Sequence, residues 1–156
     1  MNAADTDNLV LVAGGGGFIG GHLVGHLLEQ GYTNIRSVDI KPVDGWYQVF
    51  PDSDNRQLDL REVSACHEAT RGAAIVYNLA CDMGGMGFIE ANKALCMISV
   101  LINTHLLMAA KDSQVQKYFY SSSACVYNAE KQTDADVTPL REQDAYPAMP
   151  EDGYGW

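Results

Sequence analysis

The stretch that most restricts this chain is Val10-Leu11-Val12-Ala13 running into Gly14-Gly15-Gly16-Gly17 and then Phe18-Ile19-Gly20-Gly21-His22-Leu23. An apolar run, a glycine turn and the start of a helical pattern, in that order, form a cradle for a diphosphate. Gly14 would turn the chain out of the strand, Gly17 would let backbone approach the phosphates, and Gly20 would bring the helix close to the sheet. Four consecutive glycines satisfy both G-x-G-x-x-G and G-x-x-G-x-x-G, and the spacing alone leaves the two open. No lysine or arginine lies in the turn. Backbone amides would therefore carry the anion, as suits a dinucleotide better than a nucleoside triphosphate held by a P-loop lysine.

A second run, Asn34-Ile35-Arg36-Ser37-Val38-Asp39, ends in an acid about 20 residues beyond the turn, where a ribose would be gripped. A carboxylate at Asp39 accepts from a 2′-hydroxyl and repels a 2′-phosphate, so NAD is expected rather than NADP; Lys41 tempers that preference.

Further strands are expected at 57–60, 74–79 and 117–121, with helices at about 18–30, 62–70 and 88–112. Ile19, Leu23 and Leu27 with Val24 and Leu28 form the stripe of the first helix, and Gly31 caps it. Strands alternating with helices give an α/β fold with a doubly wound parallel sheet, the Rossmann arrangement, spanning 1–156 as one dinucleotide-binding domain. The 88–112 helix is apolar around most of its circumference between Ala94 and Ala110. Deep burial and a subunit interface both account for that.

Ten basic against twenty acidic residues leave a net charge of −10, which disfavours nucleic acid and anionic membrane as partners. The apolar run Ala94–Ile102 is too short and too interrupted to cross a bilayer. The polar, acidic N-terminus lacks the layout of a signal peptide, so a cytoplasmic location is expected. Cys66, Cys81, Cys96 and Cys125 show no C-x-x-C pairing. The first three read as small core residues, and no metal site is expected from the histidines.

Together, Gly14-x-x-Gly17-x-x-Gly20, Asp39, Asp59-Leu60, Asn78-Leu79-Ala80, the serines after the last strand and the tyrosine at 154 resemble the extended short-chain dehydrogenase/reductase enzymes that act on nucleotide sugars. Two segments, Asp82-Met83-Gly84-Gly85-Met86-Gly87-Phe88-Ile89 and Ser122-Ser123-Ala124-Cys125-Val126-Tyr127, look most like the branch that epimerises a GDP-hexose at C3 and C5. The resemblance implies that NAD is held by Gly14, Gly17, Phe18, Ile19, Gly20, Asp39, Asp59, Leu60, Leu79, Ala80 and Tyr154. It implies contacts from Gly84, Ser123, Ala124 and Cys125 to the sugar nucleotide, and a homodimer through the 88–112 helix.

In the catalysis so implied, Ser123 hydrogen-bonds the sugar 4-hydroxyl and Tyr154 takes its proton as the hydride leaves C4. Cys125 then acts as one acid/base for epimerisation at the acidified C3 and C5 positions before the hydride returns. A 4-epimerase, a 4,6-dehydratase and a non-catalytic NAD-binding or dimerisation module are the alternatives. The family places a lysine four residues after the tyrosine, beyond Trp156, and an asparagine near Ser99. A tyrosine without positive charge nearby is a poor base at neutral pH, so the 156-residue chain alone is expected to bind NAD weakly or not at all and to turn over no sugar.

Overall fold

The structure is a computed structural model and describes residues 6–82, 86–132 and 139–150. The chain forms two compact units, one of residues 1–83 and 94–120 and the other of residues 84–93 and 121–156.

The first unit is built on five parallel strands: β1 (Leu9–Ala13), β2 (Ile35–Asp39), β3 (Asp54–Gln57), β4 (Ala73–Asn78) and β5 (Lys117–Tyr120), in spatial order β3-β2-β1-β4-β5. Leu-Val-Leu-Val-Ala at the centre has no polar face because both faces are covered. Val10 and Val12 meet Val24 and Leu27 of α1 (Phe18–Glu29), whereas Leu11 and Ala13 join a second cluster. That cluster contains Cys66 and Ala69 of α2 (Val63–Thr70) and Leu106, Ala109 and Ala110 of α4 (Lys93–Asp112). The period of two along β1 thus divides the core into two layers. The order of strands reverses at β1, so the crevice outside its carboxyl end is a switch point.

Four expectations need correction. The third strand is Asp54–Gln57 rather than 57–60. It is the polar edge of the sheet, knitted by Arg36 to Asp54 at 3.0 Å and Arg56 to Glu68 at 3.1 Å. Leu58 and Leu60, whose apolar character suggested a strand, instead follow it and fold inward over the carboxyl end of the sheet, Leu60 into the core.

The 88–112 helix is two helices, α3 (Met86–Ala91) and α4. Asn92 separates them, its side-chain amide donating to the Phe88 carbonyl at 2.9 Å and so competing with the next helical hydrogen bond. Ile19 leaves the buried stripe of α1 and is 68% exposed, since the glycines at 20 and 21 form the inward face there. Cys81 is exposed, unlike the buried Cys66 and Cys96.

α4 is 20 residues long, longer than the run Ala94–Ile102, and by length and composition could cross a membrane. Within the first unit it is a core helix on one face only. Met97, Leu101, Leu107 and Met108 remain exposed.

Candidate NAD cleft and the segment of Ser123 and Cys125

Backbone hydrogen bonds past the strand ends shape the cleft. Gly14 and Gly15 N–H both donate to Val38 O, Leu79 N–H to Ala13 O, and Leu58 N–H to Asp39 O, at 2.8–3.0 Å. The ladder therefore persists until each chain segment has turned over the sheet edge. The resulting cleft of about 370 Å³ is lined by Gly14, Gly17, Asp39, Asp59, Leu60, Leu79 and Ala80, all anticipated from the sequence.

Gly14 has φ +82°, and a Cβ there would lie 2.8 Å from the carbonyl carbon and oxygen of Leu79. Only glycine lets the turn and the β4 exit touch. Gly20 packs against the Gly14 carbonyl, so the third glycine serves the turn itself as much as the sheet.

The N-cap of α1 is Gly17, which has no side chain to satisfy the first-turn amides. The N–H groups of Phe18, Ile19 and Gly20 have no intrahelical acceptor at this position and suit a diphosphate. The Phe18 side chain points instead to Tyr47 and His22, with ring centroids 4.9 and 4.7 Å away. The contribution of Phe18 to a cofactor is therefore a backbone one. A cradle that a Cβ would fill, first-turn amides and a carboxylate at the end of β2 together fit the adenosine diphosphate part of NAD.

Asp39 is nearly buried, 9% exposed, and accepts from Lys41 N–H at 3.1 Å. Asp59 is gripped by Arg61, whose Nε and Nη2 reach both carboxylate oxygens. The hydrogen bond from Arg61, ahead of every other influence, holds the Asp59 carboxyl below its ordinary range. Its share of stability is complete above the unfolded value near 4 and is lost as pH falls through the lower folded value. Asp59→Asn should accordingly show a shallower loss of stability than the parent in urea titrations carried below about pH 4.

Asn78 ties the β4 exit to α4: its Nδ2 donates to Asn103 Oδ1 at 2.8 Å and to Tyr118 Oη at 3.1 Å, and its Oδ1 accepts from Ala80 N–H at 3.3 Å. Burial pushes the Tyr118 phenol up to about 12, so it stays a neutral partner. Ser99 accepts from Asp82 N–H at 3.0 Å.

Lys41, weighed from the sequence only for its charge, also lines the cleft, as do Ile98 and Ile102 of α4, Leu58, Ile40, Arg61, Cys81 and Asp82, which were not anticipated there. The i, i+4 spacing of Ile98 and Ile102 was a signal, but the apolar girth of that helix concealed which face mattered.

The second unit holds the segment that follows β5. Ser123 caps a turn of 3-10 helix, Ala124–Val126, its Oγ accepting from Cys125 N–H at 3.2 Å. Ser123 and Ala124 are exposed and Cys125 is half-buried. Gly84 and Tyr154 lie outside the described residues.

The model of the NAD dependent epimerase/dehydratase family matches residues 10–150. GDP-mannose 3,5-epimerase 1 of Oryza sativa subsp. japonica is 40% identical over 147 residues, covering 94% of this chain and 38% of the rice protein. The Arabidopsis thaliana GDP-mannose 3,5-epimerase is 38% identical over 152 residues, covering 96% of this chain and 40% of that one. A crystal structure of a UDP-galactose 4-epimerase superposes with a TM-score of 0.75 at 28% identity, covering 94% of this chain and 46% of the other. The chain thus spans about two fifths of the length of these curated relatives.

Proposed function

Because the chain belongs to the NAD-dependent epimerase/dehydratase family, we propose that it is the dinucleotide-binding part of a nucleotide-sugar epimerase working at C3 and C5 of a GDP-hexose. One observation carries the cofactor half of this reading: the glycine turn, Asp39, Asp59-Leu60 and Leu79-Ala80, up to 66 residues apart in sequence, line a single cleft. The substrate half is supported by 38–40% identity to GDP-mannose 3,5-epimerases over 94–96% of the chain and by the resemblance of Ser122–Tyr127 noted above.

When bound, NAD supplies a reversible hydride acceptor. The amides of Phe18, Ile19 and Gly20 hold its diphosphate, Asp39 accepts from the adenosine ribose, and Leu60 and Leu79 wall the cleft. The same carboxylate disfavours NADP by charge repulsion.

Ser123 keeps its hydroxyl hydrogen free to donate, because the Cys125 amide uses only one of its acceptor lone pairs. That hydroxyl orients the sugar 4-hydroxyl, whose proton passes to Tyr154. Once C4 is a carbonyl, the hydrogens at C3 and C5 become acidic, and Cys125 acts on one face as one acid/base of the inversion, with a second group on the opposite face completing it. Gly84 and Ala124 line the sugar. Tyr154 and Gly84 enter this reading on the family resemblance alone.

A homodimer through α4 belongs to the same proposal, supported by the exposed side chains of Met97, Leu101, Leu107 and Met108 on a helix buried along one face only. Light scattering should give twice the chain mass, and Leu101→Glu should return it to one.

The reading is tested at the relatives' full length by incubation with GDP-mannose and NAD in deuterated water. Deuterium at C3 and C5 with formation of a C3/C5 epimer is expected. Inversion at C4 alone, or loss of the 6-hydroxyl, would replace this reading with a 4-epimerase or a 4,6-dehydratase. The 156-residue chain assayed alone is expected to give no product.

A further inference from the structure

On the reading of this cleft as a dinucleotide site, we propose that Lys41 is a positioning residue whose ammonium latches the glycine turn in the arrangement a diphosphate requires. Lys41 Nζ donates to the Gly16 carbonyl at 2.7 Å, and Tyr47 N–H donates to the same oxygen at 3.0 Å. On the other side of that peptide, Gly17 N–H donates to Gly14 O at 3.1 Å. A planar peptide anchored at its oxygen by two donors and at its nitrogen by an acceptor cannot rotate. The next amides in the chain, those of Phe18, Ile19 and Gly20, are therefore presented in a fixed direction.

Glycine turns lack side chains to hold them, and a turn free to rotate would expose carbonyl oxygens to an anion as readily as amides. The latch removes that freedom at its least constrained point.

Lys41 is itself anchored from both sides. Its backbone N–H donates to Asp39 Oδ1 at 3.1 Å and its carbonyl accepts from Trp46 Nε1 at 2.8 Å. The Trp46 ring, 8% exposed, lies so close over Gly16 that a Cβ there would be 2.7 Å from it. A single residue thereby joins the carboxylate of the ribose site, the glycine turn and the indole that covers it. The same engagement draws the Lys41 ammonium toward Gly16 and away from a role in receiving a 2′-phosphate.

Lys41→Met keeps the length of the side chain and removes the donor; Lys41→Arg keeps a donor. Two measurements separate the possibilities: hydrogen exchange at the Gly17 amide in the unliganded protein, and NMR titrations with ADP and with adenosine at the relatives' full length. Lys41→Met is expected to expose the Gly17 amide to exchange and to weaken ADP by about tenfold, the scale of one charge-assisted hydrogen bond. Adenosine binding should be unchanged, and Lys41→Arg should restore both readouts.

Weaker ADP binding with Gly17 exchange unaltered would make Lys41 a direct phosphate ligand and overturn the latch. Equal weakening of ADP and adenosine would place its effect at the ribose, and unaltered values throughout would remove it from the site. If the parent chain extended to the relatives' full length binds neither ADP nor NAD, the NAD reading itself fails, and the latch as a cofactor device fails with it. In that event the Gly17 exchange result still reports whether Lys41 holds the turn.

Discussion

Gly14→Ala is expected to eliminate measurable NAD binding and to lower the stability of the first unit by about 3 kcal/mol or more. Two independent costs meet at this residue. A φ of +82° is disfavoured for any residue with a Cβ, at about 1–2 kcal/mol. The added methyl would also sit 2.8 Å from Leu79 C and O and 2.9 Å from Ala80 N, all of them backbone atoms in a hydrogen-bonded strand exit. Neither side can yield without opening the cleft.

Gly31 supplies the control. It has nearly the same φ, +86°, but no atom within 4 Å of an added Cβ, and it caps α1 at the far end from the turn. Gly31→Ala should therefore show the conformational cost alone, about 1 kcal/mol, with NAD affinity preserved. Denaturant titrations of the two variants, run with NAD binding, separate backbone conformation from steric closure of the site. Equal losses in the two variants would show that the contact between Gly14 and the β4 exit does not matter.

Cys125→Ser should slow exchange of the C5 hydrogen with solvent by about a hundredfold or more while leaving NAD affinity unchanged. Serine preserves size and hydrogen bonding but is a far weaker acid than a thiol, so a role in packing would survive the change and a role in proton transfer would not. The assay belongs at the relatives' full length, with the remaining segments supplied by the rice protein, using the deuterium exchange described above. Because Cys125 lies in the second unit and the cleft in the first, NAD titration provides the internal control. Undiminished exchange would remove Cys125 from the chemistry and leave it a half-buried thiol.

The first βαβ portion was readable because local pattern and tertiary role coincide. A β-branched run, a glycine turn and a helical stripe each point to one arrangement, and Asp39 follows at a spacing set by that arrangement. The third strand was misplaced because apolar character marks burial, not strand. Asp54–Gln57 is a polar edge strand, and the leucines after it fold over the sheet end.

The break at Asn92 lay hidden in a continuous helical pattern with no glycine or proline to announce it. Lys41 was weighed only as a charge near the ribose. Its bond to Gly16, 25 residues away, depends on how the loop of Trp46 folds back, which no local pattern encodes. Arg61 was missed for a different reason: its partner Asp59 was considered alone, although the bidentate pair is two residues apart in sequence.

Amide chemical shifts followed during an NAD titration of the chain extended to the relatives' full length, with the remaining segments supplied by the rice protein, bear most directly on the central claim. Saturable shifts concentrated at Gly14, Gly17 to Gly20, Asp39 to Lys41, Asp59 to Arg61 and Leu79-Ala80 are the expected result, with NADP producing much smaller ones. Saturable shifts centred elsewhere on the chain, or none at NAD concentrations that saturate family enzymes, would contradict the assignment of this cleft to the dinucleotide.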